Sequence, residues 1–157
     1  MKNQSDQQSE PSVTPRLWTY EAALRAVPYL RAVVQSLREH WLQIQSVRLH
    51  IRRLDVLHPG RPDRQTLIRR AEANKELEQA HVKFEEALDE LNAIDVDCLH
   101  PVRGLALIPF GKREQLAWYV FDLFSPHGLE AWRFQSDPLA MRRPLKNAAW
   151  ALPTKFA

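Results

Sequence analysis

The first half of the chain carries apolar residues at the three- and four-residue spacing of amphipathic helices. One stripe consists of Leu30, Leu37, Ile44 and Ile51, which recur every seven residues, flanked by Val33, Val34, Trp41, Val47 and Leu54. This spacing predicts a helix from Pro28 to about Leu57. A shorter helix, 20–27, is expected before it with Thr19 as its N-cap. Pro28 lacks a backbone N–H and therefore predicts a kink or a fresh helix start.

A second helix is predicted from Arg64 to about Ile94, after a break at "HPGRPD" in which Asp63 is the expected N-cap. Its apolar rows are Leu77, Phe84 and Leu91, and Leu67, Asn74, His81 and Leu88. Two helices of about 30 residues joined by a short loop predict a long antiparallel, coiled-coil-like hairpin. The contacts expected across this hairpin are Leu37 with Phe84, Leu30 with Leu91, and Leu54 with Leu67.

After Asp97 the pattern changes to the shorter apolar runs of β-strands. Strands are predicted at 104–110, 115–123 and 129–134, connected by "GKRE" and "SPHG". The predicted fold class is therefore α+β, a helical hairpin followed by a small three-stranded antiparallel β-meander. The first two strands are apolar on both faces, so a hairpin on one face leaves the other in need of cover. That cover would come from the short N-terminal helix, the C-terminal tail 144–157 or a second subunit. We expect a homodimer, because an open face would expose Trp118 or Tyr119, whereas the tail is short and lacks periodicity.

Composition suggests the domain boundaries. Residues 1–16 are polar and rich in Gln and Ser, which predicts a disordered N-terminal tail. Residues 17–145 form one domain, with the hairpin at 28–94 and the sheet at 104–134. Residues 146–157 form a C-terminal tail.

Cysteine content and hydropathy narrow the class of protein. The single cysteine, Cys98, excludes an intramolecular disulfide and a cysteine-based zinc site. The N-terminus lacks the apolar core of a signal peptide, and no run reaches the ~18 apolar residues of a membrane span. These features predict a cytoplasmic protein with no membrane partner. The net charge of +3 is too small to require a polyanionic partner.

Three stretches of sequence resemble a bacterial family known as domain of unknown function 2203. They are "WTYEAALRAVPYLRAVVQSLRE", "HPVRGLALIPF" and "AWRFQSDPLAMRRP". The resemblance covers roughly residues 17–145 and implies a helical hairpin with a small sheet. It implies no activity, because the family has none assigned.

Two positions depart from that family's pattern. The family's strand has an Asp where this chain has Leu107, and its closing Trp-His pair is Trp132–Arg133 here. An acid–base or metal role carried by that Asp and His cannot transfer to this chain. We therefore expect no catalytic residue at either position.

The hairpin places two histidines opposite each other. If it turns near Gly60, His40 faces His81, with Glu85 one turn beyond. Two imidazoles and a carboxylate are suitable ligands for a transition metal. The alternative is a polar pair that fixes the helix register, and it is favoured because four ligands would be expected. We expect no metal and no cofactor.

The hairpin tip is basic and the second helix is acidic. The tip carries seven arginines: Arg48, Arg52, Arg53, Arg61, Arg64, Arg69 and Arg70. Residues 71–97 hold nine acids against two lysines. A basic helical tip suits the phosphates of nucleic acids. However, the tip lacks aromatic residues for base stacking, and arginines near the end of the first helix are favourable there in any case. Nucleic acid is therefore not the favoured partner.

The C-terminal stretch "WRFQSDPLAMRRP" combines Trp132 with Arg133, Arg142 and Arg143. The simplest interpretation is a clasp, in which Trp132 fills the core edge and an arginine pairs with a carboxylate of the acidic second helix. The functional alternative is an anion-binding or partner-binding site made by the same arginines. Cys98 lies near His100, but nothing else completes a nucleophilic site, so a structural cysteine is expected.

These features favour a homodimeric, non-enzymatic interaction or scaffold module with an unidentified protein partner. One alternative is a nucleic-acid-associated protein that uses the basic tip. Another is a metal-dependent enzyme that uses the hairpin histidines.

Overall fold

A helical hairpin packs against one face of a five-stranded sheet. The computed structural model of the chain describes residues 16–57 and 60–145. The elements are α1 (Tyr20–Leu57), α2 (Arg64–Ala93), β1 (Asp97–His100), β2 (Leu105–Lys112), β3 (Gln115–Asp122), β4 (Leu129–Phe134) and β5 (Arg143–Pro144). The predicted α+β class is therefore confirmed. The predicted terminal tails lie outside the described residues, except for Arg16.

Helix α1 is one continuous helix of 38 residues with Pro28 inside it. Of the two alternatives expected at Pro28, the fresh helix start is therefore wrong, and the expected separate helix 20–27 is the first part of α1. Thr19 caps the helix as predicted, since its Oγ1 accepts the N–H of Ala22 at 3.1 Å. Proline costs one backbone hydrogen bond, but Ala23 and Leu30 on either side of it are both fully buried in the same core, and this burial holds the helix together. Among the described residues, no helix is long and apolar enough to cross a membrane.

Helix α2 begins at the predicted cap and pairs with α1 near the predicted register. Asp63 accepts the N–H of Thr66 at 2.8 Å. Across the hairpin, the rings of Trp41 and Phe84 lie 5.4 Å apart. The residues expected to pair nearer the base, Leu30, Leu37, Phe84 and Leu91, all belong to one core cluster. Leu67 is 50 % exposed and Thr66 is buried in its place, so Leu67 does not fill the seam as expected. The contact of Leu54 with Leu67 stays a prediction.

One predicted apolar row of α2 is displaced by a single residue. The buried row is Thr66, Ala73, Ala80 and Ala87, rather than Leu67, Asn74, His81 and Leu88. The larger buried side chains of the seam come from α1. The small residues of this row let the two helices approach closely. The large apolar residues Leu67 and Leu88 lie in the neighbouring row, so the sequence pattern predicted that row to be buried.

The sheet has the order β1-β2-β3-β4-β5, and all neighbouring strands are antiparallel. The three predicted strands form its centre, β2 to β4. The edge strands β1 and β5 were missed because four and two residues are too few to show alternation. Arg113 and Glu114 join β2 to β3 with φ of 51° and 62°, the backbone of a two-residue hairpin turn that matches strand twist.

The inner face of the sheet and the base of the hairpin form the main core. Its fully buried side chains include Leu30 and Leu37 from α1, Leu91 from α2, and Ile108 and Phe121 from the sheet. Each such side chain contributes about 1.5–3 kcal/mol by leaving water. This burial is what holds the hairpin and the sheet together.

Two arginines of α1 attach the loops of the sheet to the helix. Arg31 donates to the carbonyl oxygens of Leu123, Ser125 and Pro126, at 3.0, 2.8 and 2.9 Å. Arg38 Nε donates to the carbonyl of Val102 at 2.9 Å. A charged guanidinium can satisfy several loop carbonyls that the sheet ladder leaves unpaired. These bonds hold the sheet at one height along the hairpin.

The outer face of the sheet carries a second apolar cluster, which the single chain already buries. Leu107, Trp118 and Val120 on this face are 7 %, 7 % and 3 % exposed. Tyr119, on the inner face, is 3 % exposed. Trp118 and Tyr119 are therefore covered within the single chain, and neither requires a second subunit as cover. The homodimer itself stays a prediction.

Leu37→Ala should lower the free energy of unfolding by about 2–5 kcal/mol, because truncating a fully buried leucine leaves a cavity. Leu49→Ala on the same helix is the matched control, since Leu49 is 48 % exposed, and we expect a change within about 0.5 kcal/mol. Urea denaturation followed by circular dichroism measures both. Equal losses in the two variants would contradict the orientation of α1.

Candidate functional site

The outer half of the hairpin extends past the core that it shares with the sheet. That core ends at Leu37 on α1 and begins at Phe84 on α2. Ile44, Val47 and Leu54 are buried further out, in neither of the two clusters that contain the sheet. We call residues 42–57 and 64–83 the arm, which is about 25 Å long at the rise of an α-helix.

The arm exposes aliphatic side chains near its tip and along α2. Val56 and Leu57 are 74 % and 70 % exposed, Leu67 and Ile68 are 50 % and 47 % exposed, and Val82 is 50 % exposed. Single exposed aliphatic residues are common on protein surfaces, but several on one projecting element are typical of an interaction site. The sequence pattern did not reveal this feature, because a helical wheel assigns Leu67 to the seam.

Exposed arginines accompany these aliphatic side chains. Of the seven tip arginines, the structure leaves six exposed, namely Arg48, Arg52, Arg53, Arg61, Arg64 and Arg69. Arg70 is half-buried and forms an ion pair with Asp55 across the hairpin. The tip therefore presents both positive charge and apolar surface.

The hairpin histidines are engaged with other groups. A ring nitrogen of His40 lies 3.1 Å from the hydroxyl of Ser36, one turn earlier in α1. His81 Nε2 lies 3.4 Å from the guanidinium of Arg48, and Glu85 is exposed. A guanidinium beside an imidazole disfavours a second cation there. Within the part of the chain that the structure describes, no group of three or more His, Cys, Asp or Glu side chains could hold a metal ion.

Arg143 and Asp137 form a clasp at the edge of the sheet. Arg143 Nε and Nη2 donate to Oδ2 and Oδ1 of Asp137 at 2.8 and 3.0 Å, so the pair is bidentate. Oδ2 also accepts the N–H of Phe134 at 2.8 Å. The expected partner, a carboxylate of the second helix, is therefore wrong, because the turn between β4 and β5 supplies a closer one. The hydrogen bond from Arg143 lowers the pKa of Asp137 from 3.8 to about 2.

Aromatic rings complete this clasp. Trp132 is 7 % exposed and packs edge-on against Phe134, with ring centroids 4.9 Å apart. The guanidinium of Arg143 lies 5.3 Å from the Trp132 ring centroid and 5.0 Å from that of Phe134. A cation over aromatic rings adds to the ion pair. Arg143 is therefore committed to closing the sheet edge, as the clasp interpretation predicts.

Arg133 and Arg142 take no part in that ion pair. Arg133 is 3 % exposed and lies beside Trp118, its cross-strand neighbour. Its Nη2 donates to the carbonyl oxygen of Asp137, while its Nε is buried with no hydrogen-bond acceptor among the described residues. Arg142 is exposed and donates to two carbonyls of the preceding turn at 2.6 and 2.8 Å. Of the three arginines named from the sequence, Arg143 therefore has a structural role in the ion pair with Asp137. Arg133 and Arg142 have no part in that pair.

Cys98 has the environment of a structural cysteine. Burial raises the pKa of its thiol to about 11. Since the thiolate is the nucleophile, a thiol with this pKa is almost entirely unreactive at neutral pH.

Two polar residues of this region were not named as site residues from the sequence. Asp137 is the carboxylate of the clasp, and Gln135 accepts a hydrogen bond from Trp118 Nε1 through its side-chain oxygen. Asp137 could have been found, since Asp before Pro is a turn signal and a turn Asp commonly accepts nearby backbone N–H groups. The role of Gln135 depends on the strand pairing, which has no local signal.

Comparisons with known proteins found no matching family model, no matching curated protein and no matching solved structure. The resemblance to domain of unknown function 2203 therefore stays a prediction.

Asp137→Asn should change how stability depends on pH. The pKa of Asp137 is depressed in the folded state, so its ionised form stabilises the fold above about pH 4, and this contribution is lost as pH falls from about 4 towards about 2. The difference in unfolding free energy between wild type and variant should therefore shrink over that range. Urea titrations at several pH values measure it, with Asp89→Asn, an exposed carboxylate on α2, as the baseline. A difference that does not depend on pH would contradict the ion pair.

Proposed function

We propose that the protein is a non-enzymatic interaction module that forms a homodimer through its hairpin arm. The observation that carries the proposal is the exposure of aliphatic side chains along the arm, among them Ile68 and Val82 on α2. Burying the apolar surface of these side chains between two proteins is favourable. Because the outer sheet face is already buried, the arm replaces it as the proposed contact.

A second copy of the chain is the proposed partner because α2 is complementary to itself in charge. Its first two turns contain Arg64, Arg69 and Arg70, whereas its remaining residues, 71–93, contain seven acids against two lysines. When two copies of α2 lie antiparallel, the basic end of each faces the acidic part of the other. Such complementarity favours encounter and selects the orientation of the two copies.

The exposed aliphatic residues define the register of this pairing. Ile68 and Val82 are 14 residues apart, so they lie on the same side of α2 at a distance of about 21 Å. With a two-fold axis at Lys75, Ile68 of each copy meets Val82 of the other, and Arg64 lies opposite Glu86. This side of α2 forms a shallow groove of about 650 Å³ whose lining includes Lys75, Val82 and Glu86.

The proposed contact is isologous, since both copies use the same surface. It contains few apolar side chains for a stable interface, which commonly buries about 800 Å² on each partner. We therefore expect a dissociation constant on the order of micromolar rather than nanomolar.

Nucleic-acid binding is the second candidate, and the six exposed arginines of the tip favour it. Contacts of arginine with phosphate carry little sequence information and weaken steeply with salt. The protein contact is preferred because aliphatic side chains lie among the arginines, and because residues 48–70 contain no Phe, Tyr or Trp on which a base could stack.

Ile68→Glu should convert the dimer to a monomer. The substitution removes the apolar contact with Val82 and places a carboxylate against the acidic part of the second copy. Sedimentation of the full chain at about micromolar to hundred-micromolar concentrations measures the effect. Leu49→Glu is the matched control, since Leu49 is exposed to a similar degree on α1, and this variant should sediment as the wild type does.

The register is tested by cross-linking an equimolar mixture of Ile68→Cys and Val82→Cys under mild oxidation. We expect the mixed disulfide to form faster than either homodisulfide. The wild-type chain controls for Cys98, whose raised pKa makes it a poor partner. A monomeric wild type, or homodisulfides formed as fast as the mixed one, would show that the proposed contact is wrong.

Heparin chromatography distinguishes the two candidate functions, the protein contact and nucleic-acid binding. If the arm serves a protein contact, Arg52→Gln with Arg53→Gln should lower the elution salt only slightly, in proportion to the two charges removed. RNA binding at about 150 mM salt that is abolished by this double variant would favour the nucleic-acid candidate instead.

A further inference from the structure

Arg133 carries a buried positive charge that forms no ion pair with a carboxylate of the described residues. The ion pairs found in that part of the chain are Arg70 with Asp55 and Arg143 with Asp137. Arg133 is 3 % exposed and has a main-chain carbonyl as its hydrogen-bond acceptor. Its Nε is buried without an acceptor among the described residues.

The surroundings of Arg133 make an unbalanced charge costly. On the outer face of the sheet, Trp118 pairs directly with Arg133 on one side and with Pro109 on the other. Trp118 and Pro109 are both buried. In such apolar surroundings an unpaired charge is unfavourable, and a bond from the guanidinium to an anion is correspondingly strong.

Asp137 is the acidic residue whose main-chain carbonyl Arg133 contacts, and its carboxylate oxygens are already in use. Oδ1 accepts from Arg143, and Oδ2 accepts from both Arg143 and the N–H of Phe134. The positive charge of Arg133 contributes to the lowered pKa of Asp137, after the larger effect of the Arg143 hydrogen bond. The charges of Arg133 and Asp137 therefore interact, but the two side chains form no ion pair.

Arg142 adds a second cation at the same place. The pairing of β4 with β5 places Ala131 opposite Pro144 and Trp132 opposite Arg143, and the same register continues to Arg133 and Arg142. Partial burial and then the charge of Arg133 lower the pKa of Arg142, while the charge of Asp122 raises it. Arg142 is anchored by carbonyls of the turn 138–142. Arg142 is exposed and Arg133 is buried, so a ligand arriving from solvent meets Arg142 first.

We propose that Arg133 and Arg142 bind a phosphate group carried by a small molecule. Two guanidiniums match the double negative charge of a phosphate monoester, and their planar N–H groups suit its oxygens. One phosphate oxygen accepts from the guanidinium of Arg133 at its outer end, and the others accept from Arg142. A carboxylate balances one charge and binds more weakly. The site is separate from the arm, so this inference does not depend on the proposed function.

The test uses the full-length protein and inorganic phosphate as the probe. The Nε–Hε resonance of Arg133 is observed in ¹⁵N-resolved NMR spectra and is assigned by its loss in Arg133→Lys. We expect phosphate to shift this resonance in a saturable manner with a millimolar dissociation constant, on the order of 1 mM. Acetate at the same ionic strength should bind about tenfold more weakly, because it carries one charge rather than two.

Arg142→Ala should weaken phosphate binding by about tenfold or more, because one of the two charged donors is lost. Arg142 is exposed, so this variant is expected to fold. Arg25→Ala is the matched control, since it removes one exposed arginine from α1 and should leave the affinity within about twofold. Equal affinities in the two variants, or no shift of the Arg133 resonance at about 20 mM phosphate, would overturn the proposal.

Glycerol phosphate and inorganic phosphate distinguish the source of the phosphate group. Tighter binding of glycerol phosphate would identify the ligand as an organic phosphate whose remaining part contacts the neighbouring surface. Equal binding would identify the phosphate group as the whole recognised unit. Tighter binding of acetate than of either phosphate compound would overturn the assignment to phosphate.

Discussion

The fold depends on the contact between the inner face of the sheet and the base of the hairpin, because each of these apolar surfaces is buried only by the other. Neither would be stable alone, because a two-helix hairpin and a small sheet both leave apolar faces open to water. The side chains that meet there, such as Leu37 and Phe121, are the least exposed in the described part of the chain. The arginine bonds from α1 to the loops of the sheet then fix where along the hairpin the sheet is attached.

The same contact explains why the arm is the surface left for a partner. The sheet is wide enough to cover only part of two helices of 38 and 30 residues. Beyond Trp41 and Phe84 the helices are held by a narrow seam, with alanines on one side of it. A narrow seam buries few residues per turn, so aliphatic side chains on the remaining faces stay exposed. The arginines of α2 lie at its N-terminal end and most of its acidic residues lie further along. The exposed surface of α2 is therefore basic at one end and acidic at the other.

The sheet edge shows a second consequence of packing. The turn from β4 to β5 brings Asp137 to Arg143, and the aromatic rings beneath hold this pair in place. Both carboxylate oxygens of Asp137 accept hydrogen bonds from Arg143. Arg133 is therefore buried without an ion-pair partner among the described residues. Buried charges are normally paired, so the exception distinguishes Arg133 from the surface arginines of the arm. Strand pairing, rather than sequence spacing, produces this difference.

Local pattern by itself determined the α+β class, the two long helices, the caps at Thr19 and Asp63 and the three central strands. These features follow from periodicity and from turn chemistry within a few residues. The sequence also named the arginines of the tip and of the C-terminal stretch, since charge is visible without a fold. Tertiary structure alone decided which α2 row is buried and that Pro28 lies inside a continuous helix. It also decided that the outer sheet face is covered and that Arg143, not Arg133, pairs with Asp137. Each of these outcomes depends on what a residue meets across the fold, and contacts between distant segments leave no periodic trace in the chain.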